Sequence, residues 1–341
     1  MPRRIDRALL LNTLHTVPYY TDNWRDLPRE LLFFAPQGID WEKGTVKGLE
    51  LRRGVWRLGE FAFPRTVYNR CFPEPKALLA KLGEHVAPGN IFNLCTQLDK
   101  WEVYGLLKES EAAPHLPHSR LFAPEELPQL LAEYKAVVCK PRRGHGGAGV
   151  FKLELAGPEL VVVTTQWYSF PLWGEALYVP LVAAAASPGV YLVQQYIPSL
   201  ERSGVKFDVR LVLQKNRDGK WQVSGELSRV ASAQSLLTNG YHAVAKVGEV
   251  VSRATLDQLH LLGQMVAEVL DRGLGGLGEL GVDFLLDQGG QPWILEVNGK
   301  PDKGLFWKLG DGRMLKRVYV TPLHYQQHLL QGKTSALGSR S

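Results

Sequence analysis

Two carboxylates and an amide, Asp283, Glu296 and Asn298, have the spacing best suited to chemistry. They lie in GVDFLLDQGGQPWILEVN, residues 281–298, where two β-rich runs flank Gly289-Gly290. A Gly-Gly pair suits a two-residue hairpin turn. Counting outward from that turn sets Gln288 against Gln291 and Asp283 against Glu296. Strand side chains alternate, so Asn298 shares a face with Glu296. Directly opposed carboxylates sit about 5 Å apart and repel. A divalent cation would remove that penalty, and hard oxygen donors with positions left for phosphate oxygens suit Mg²⁺ or Mn²⁺. The competing reading is an edge hairpin with solvated acids, which accounts for Asp287. It accounts poorly for an acid and an amide on one face of an otherwise apolar strand.

A second cluster is VVCKPRRGHGGAGVFKL, residues 137–153. A strand ends in Lys140, and the loop after it carries Gly144, Gly146, Gly147 and Gly149. Glycines let backbone N–H groups approach phosphate oxygens, and the flanking cations add charge. No GK[ST] follows and the next run is strand-like, which excludes a Walker loop and a dinucleotide fingerprint. A mobile surface loop is the alternative. A third cluster, KFDVRLVLQKNRDGKWQVSGELSRVAS (206–232), places Lys206, Asp208 and Arg210 on one strand face. A turn at Asp218-Gly219 brings Arg229 beside Asp208. This row could line a phosphate cleft, or it could be a solvated face with one cross-strand ion pair. The strand Tyr191–Gln195 leaves into a loop whose backbone, from Gln194 and Gln195 through Tyr196 and Ile197, could read an adenine edge. Glu201 could then reach ribose hydroxyls. No nucleophile motif and no HExxH occurs.

Elements must hold these groups. The pattern predicts a helix from Thr96, with Asp99 three residues on, and a long helix from about Leu256 to Asp271. In the latter, Thr255 and Gln258 have capping-box spacing and Gly273 sits at the stop. Four segments follow: an α/β unit over 1–92, a first α+β lobe with the Gly-rich loop over 93–190, a second lobe with the metal set over 191–325, and a tail over 326–341. The chain has 341 residues, 45% of them hydrophobic and 22% charged, ample for more than one core. A formal charge of +6 without long basic blocks favours small anionic ligands over nucleic acid. Three cysteines, Cys71, Cys95 and Cys139, fit no zinc or CxxC pattern and point to a reduced cytoplasmic compartment. No apolar run is long enough for a bilayer, and MPRRIDRALLLNTLHTVPYY reads as a first strand rather than a leader.

In order along the chain, these motifs resemble the ATP-grasp superfamily. More narrowly they resemble its YheC/YheD-like, endospore coat-associated group. PRTVYNR (64–70), DKWEVYGLL (99–107), KPRRGHGGAGV (140–150), KFDVRLVLQKN (206–216), GVDFLLD (281–287) and EVNGKPDKGLF (296–306) carry the likeness. The resemblance implies an α/β ATP-grasp fold with an N-terminal pre-ATP-grasp domain, and Mg-ATP held between two lobes. By position it places Lys100 and Lys140 on ATP phosphates, Gln194 to Ile197 on adenine, and Glu201 on ribose. Lys206 and Arg210 would face the phosphates, with Arg229 and Asn239 beside the acceptor chemistry, and Asp283, Glu296 and Asn298 would hold Mg²⁺. In place of the Gly-Gly pair usual after the Asn, the chain reads TNGYHAVAKV (238–247). The implied activity is ATP-dependent carboxylate–amine ligation through an acyl phosphate, on a carboxylate and an amine that the motifs do not name. The alternatives are a non-catalytic ATP-binding or structural spore-coat-associated protein, and a kinase-like phosphotransferase.

Overall fold

The computed structural model describes residues 2–144, 146–202, 204–231 and 241–331. Three six-stranded sheets follow one another along the chain. β1 (Arg7–Leu10), β2 (Glu30–Asp40), β3 (Thr45–Arg52), β4 (Val55–Ala62), β5 (Thr66–Asn69) and β6 (Ile91–Phe92) build the first, in the order β4-β3-β2-β1-β5-β6. Its β2-β1-β5-β6 part is parallel and its β2-β3-β4 part antiparallel. The second contains β7 (Ser119–Leu121), β8 (Ala136–Pro141), β9 (Phe151–Leu155), β10 (Leu160–Thr164), β11 (Ser169–Trp173) and β12 (Tyr191–Gln195), ordered β11-β10-β9-β8-β12-β7. The third runs β16-β15-β14-β17-β18, with β13 (Glu201–Arg202) also on β14 (Val205–Lys215). Its other strands are β15 (Trp221–Ala231), β16 (Tyr241–Ala245), β17 (Glu279–Leu286) and β18 (Pro292–Asn298). The second and third sheets are antiparallel throughout. This is the α/β architecture expected.

Alternation decides which face of β14 is buried in the apolar core. Phe207, Val209, Leu211 and Leu213 point into it, against Leu259, Leu262, Val266 and Leu270 of the helix Arg253–Leu274. Asp208 and Arg210 take the opposite face, also buried. The helix Lys100–Lys108 precedes the second sheet in the chain, yet it buries Val103 and Leu107 in the core of the third.

Helix ends differ from the expected ones. Asp99, not Thr96, caps the helix Lys100–Lys108, its Oδ1 accepting from Trp101 N–H at 2.9 Å. The Thr96 hydroxyl is bonded instead to the Cys71 carbonyl at 2.7 Å. The long helix starts one turn early, capped by Ser252, and stops at Gly275. Gly275 has positive φ, which the C-terminal stop requires. The segment expected as a tail is helical to Gln331, part of the helix Gly312–Gln331. That helix buries Val320, Leu323 and Tyr325 against the first sheet and Val318 against the third, so its apolar face has two partners and cannot be released to solvent. Among the described residues no helix is long and apolar enough to cross a membrane.

After β18 the chain passes close to the segment preceding the capped helix. A Cβ on Gly299 would stand 2.8 Å from the Cys95 carbonyl oxygen and 2.9 Å from that of Thr96. Both obstacles are backbone and cannot swing away. Gly299→Ala is therefore expected to cost about 1–3 kcal/mol. Urea denaturation checks this, and an unchanged midpoint would show that the two segments can separate freely.

Candidate functional site

Both hairpins that carry the site turn differently from the two-residue count. In the β17–β18 hairpin Asp287 N–H donates to the Gln291 carbonyl at 3.0 Å and Gly290 has φ +82°. This is a three-residue loop with a left-handed glycine. It pairs Leu286 with Pro292, one step out of the expected register. The register then shifts between Asp283 and Phe284, where Leu295 is the extra residue, and Asp283 falls opposite Glu296 after all. The β14–β15 hairpin repeats the arrangement. Gly219 is left-handed, Lys215 pairs with Trp221, and a shift between Val212 and Leu213 restores Asp208 opposite Arg229.

The bulge has a use. The Leu295 carbonyl accepts from Lys140 Nζ at 3.3 Å, and Gln194 Oε1 accepts from the same amine at 2.8 Å. Gln194 is fixed in turn, donating through Nε2 to the Ser119 hydroxyl at 2.9 Å. Lys140 thus crosses from the second sheet to the third. Lys100 Nζ lies 3.1 Å from Glu296 and donates to the Gly144 carbonyl at 3.2 Å. Asp99 anchors the base of the Gly-rich loop as well as the helix. Its carboxylate takes Arg142 Nη2 at 2.9 Å and Arg143 Nε at 3.4 Å.

The facing acids do not repel as expected. Asp283 Oδ1 and Oδ2 each accept from Arg210 at 2.7 Å, and Arg229 Nη2 reaches Oδ2 at 2.9 Å. Arg229 also holds Asp208, with Nε to Oδ1 at 2.9 Å. Burial alone would raise the Asp283 carboxyl, but the two guanidinium charges and their hydrogen bonds outweigh it and hold it below the ordinary range. Its anionic charge is already matched in the protein, and that of Glu296 faces Lys100. Among the described residues no three acids, histidines or cysteines converge on a metal position. The expected set is two carboxylates and an amide, of which only Glu296 and Asn298 are free of arginine. Among the described residues the buried Asn298 Nδ2 has no hydrogen-bond partner.

Between the second and third sheets these groups line a cleft of about 160 Å³. Lys100, Lys140, Gly144, Gly147, Gln194 to Ile197, Lys206, Arg229, Asp283 and Glu296 all reach it. Four cations against two carboxylates give it a positive sign. Val138, Val150, Ile197, Leu285 and Leu295 supply an apolar wall. Arg210 stands behind Asp283, bonded to it. Gly146 and Gly149 lie in the loop with positive φ. Glu201 is exposed and sits across from Lys206, which lines the cleft; Ser199 lines it too, while Glu201 itself stays outside the lining. Asn239 lies outside the described residues. Sequence reasoning missed Asp99, whose signal was an N-cap acid next to Lys100, and Ser199 and Leu295, which carried none.

Lys140 makes a testable electrostatic statement. Burial first, then repulsion from Lys100, push its amine down to about 8 against partial compensation by Glu296. An unfolded lysine titrates higher, so the unfolded chain binds more protons above pH 8 and free-protein stability rises with pH there. A bound polyanion would favour the charged amine. Affinity for one should therefore fall as pH rises through 8, by up to about tenfold per unit, with proton uptake on binding. Calorimetry with ATP in buffers of different ionisation heat measures that uptake. Affinity independent of pH from 7 to 9.5 would remove Lys140 from the ligand.

Comparison with known proteins bears on the family and the fold. A family model described as YheC/D like ATP-grasp matches residues 89–329. The endospore coat-associated protein YheD of Bacillus subtilis (strain 168) is 31% identical over 329 residues, covering 88% of this chain and 69% of that protein. Among solved structures, N5-carboxyaminoimidazole synthase from Aspergillus clavatus, in complex with ADP and 5-aminoimidazole ribonucleotide, superposes with a TM-score of 0.58. It is 11% identical, over 95% of this chain and 79% of that one. The D-alanine-D-alanine ligase from Coxiella burnetii gives 0.51 at 12% identity, over 99% and 100%. At such identities the likeness to both structures is one of fold.

Proposed function

The chain belongs to the YheC/D-like ATP-grasp family, and from that premise we propose that its cleft binds Mg-ATP and uses it to join a carboxylate to an amine. The observation that carries this reading is the convergence of Lys100, Lys140, Lys206 and Arg229 from both lobes beside an apolar wall. The wall suits a purine ring and the cations suit a triphosphate. Backbone from Gln194 to Ile197 borders the purine end, and the Gly-rich loop covers the phosphates.

Glu296 and Asn298 fit a hard divalent ion, because among the described residues the Asn298 Nδ2 is without a partner and a half-turn exchanges the amide nitrogen and oxygen. Asp283 would serve such an ion only through lone pairs that its arginines leave open. Bound there, Mg²⁺ would neutralise charge on the β- and γ-phosphate oxygens. The chain's own groups do the rest. Lys140, fixed by Gln194 and the Leu295 carbonyl, points a charge at the phosphates. Lys100 does so from the helix start that Asp99 caps. A substrate carboxylate oxygen attacks the γ-phosphorus, the bond to the ADP oxygen breaks, and an acyl phosphate forms. The amine nitrogen then attacks the acyl carbon, phosphate leaves, and the amine proton passes to solvent. Positioning and charge stabilisation suffice, so no protein nucleophile is required. The name of the YheD relative extends to this chain the proposal of an association with the spore coat.

Incubation with Mg-ATP, pooled carboxylic acids and hydroxylamine tests the reaction. Hydroxamate formed in step with ADP is the expected result. ADP without hydroxamate in every pool would contradict the acyl phosphate.

A further inference from the structure

Beyond the nucleotide cleft lies a second cavity of about 420 Å³, and beyond that a third of about 210 Å³. Their shared walls give the order. The first and second share Lys100, Gly144 and Glu296; the second and third share Arg70, Lys300 and Asp302; the first and third share nothing. The middle cavity therefore has a near end at the phosphate cations and a far end at Arg70 and Lys300.

The far end is built to hold an anion. Arg70 is held along one edge, its Nη1 donating to the buried Glu279 and to the Tyr68 hydroxyl. Glu279 is already neutralised from its other side by Lys303 Nζ at 2.6 Å. Two cations thus face one buried acid. Among the described residues Nη2 of Arg70 has only a 3.5 Å contact, to the Pro301 carbonyl. Lys300 adds a further charge. It is half-buried, its ammonium 5.9 Å from the centre of the Phe72 ring, and among the described residues it forms no ion pair. Burial, then the charge of Arg70, lower its amine below the ordinary lysine range, opposed by Cys71, Glu279 and Asp302. Asp302, the nearby acid, is exposed and accepts the Gly304 N–H at 2.8 Å. Arg70, Lys303 and Lys300 thus crowd around one buried acid, Glu279, and the surplus positive charge is stabilised by an anionic ligand.

We propose that the middle cavity binds the acceptor, and that the acceptor is a dicarboxylate. One carboxylate is presented at Lys100 and Glu296 to the γ-phosphoryl group, and the other is held by Lys300 and the free edge of Arg70. This rests on the nucleotide reading for the identity of the near end. It accounts for the Lys-Pro-Asp-Lys run after Asn298, which the nucleotide cleft does not use.

The test is calorimetric titration of the full chain with the series malonate to pimelate, with aspartate and glutamate, and with the monocarboxylate counterpart of each. It is run with and without Mg²⁺ and the β,γ-imido analogue of ATP. At least one di-acid should bind tenfold or more tightly than its mono-acid counterpart. Lys300→Gln should abolish that preference, Lys300→Arg should keep it, and both should bind the nucleotide analogue within twofold of the parent. No preference for any di-acid, or a preference that survives Lys300→Gln, overturns the proposal. The nucleotide arm reports separately on the reading beneath it, and the di-acid preference is decided even if that arm fails.

Discussion

Asp283→Ala should lower the stability of the ligand-free protein by about 3–5 kcal/mol. The carboxylate is buried and accepts three charge-assisted hydrogen bonds, two from Arg210 and one from Arg229. Removing it leaves the buried Arg210 guanidinium without its carboxylate, and an uncompensated buried charge is among the costliest single changes a fold can suffer. Asp283→Asn keeps the shape and one acceptor, so it should lose less. The linkage has a definite sign. The native pKa is depressed, so the stabilisation is present above the unfolded carboxylate range and is lost as pH falls through the native value. The difference between parent and Asp283→Ala should accordingly shrink in acid. Urea midpoints at pH 7 and at a pH well below the ordinary carboxylate range measure both effects. A mutant as stable as the parent at pH 7 would mean that Asp283 is a solvated acid awaiting a metal rather than the centre of an ion network.

Glu296→Gln should reduce ATP turnover by at least about 100-fold, the scale of losing one charge-stabilising group at a reacting phosphoryl centre. Facing acids considered alone would lead one to expect this change to relieve repulsion and stabilise the metal-free protein. The structure reverses that sign. Glu296 pairs with Lys100 at 3.1 Å, both side chains being less than a fifth exposed. Lys140 is close enough to be supported by the same charge. Removing it leaves two lysines less compensated, a loss of up to about 1 kcal/mol for a partly solvated pair. Steady-state ADP release and a melting curve without metal are the two measurements. Full turnover would remove Glu296 from the reaction, and a melting point above the parent's would restore the repulsion argument.

The register of the site was legible for a partly accidental reason. Two-residue turns at Gly289-Gly290 and Asp218-Gly219 are one residue too short, since Gly290 and Gly219 close three-residue loops. In each hairpin a bulge adds the compensating residue before the functional pair. Alternation was the reliable signal: Phe207, Val209 and Leu211 are in the core and Asp208 and Arg210 opposite, as the pattern requires. What pattern does not carry is the neighbour across a sheet. Arg210 and Asp283 are 73 residues apart and meet because β14 lies beside β17. No local spacing specifies that adjacency, so the arginines that neutralise Asp283 are invisible to pattern and the acids alone predict repulsion. The same holds for Asp99 with Arg142, for Arg70 with Glu279, and for the C-terminal helix that bridges the first and third sheets.

Calorimetric titration with ATP, with and without Mg²⁺, decides whether the cleft between the second and third sheets is a nucleotide site. One site of micromolar affinity is expected, about −8 kcal/mol. The same titration on Lys140→Met should show affinity weakened by at least about tenfold, with the ligand-free mutant melting no lower than the parent at pH 7, because a buried amine of depressed pKa has been removed. Absence of both heat and thermal shift at millimolar nucleotide would contradict a nucleotide site there.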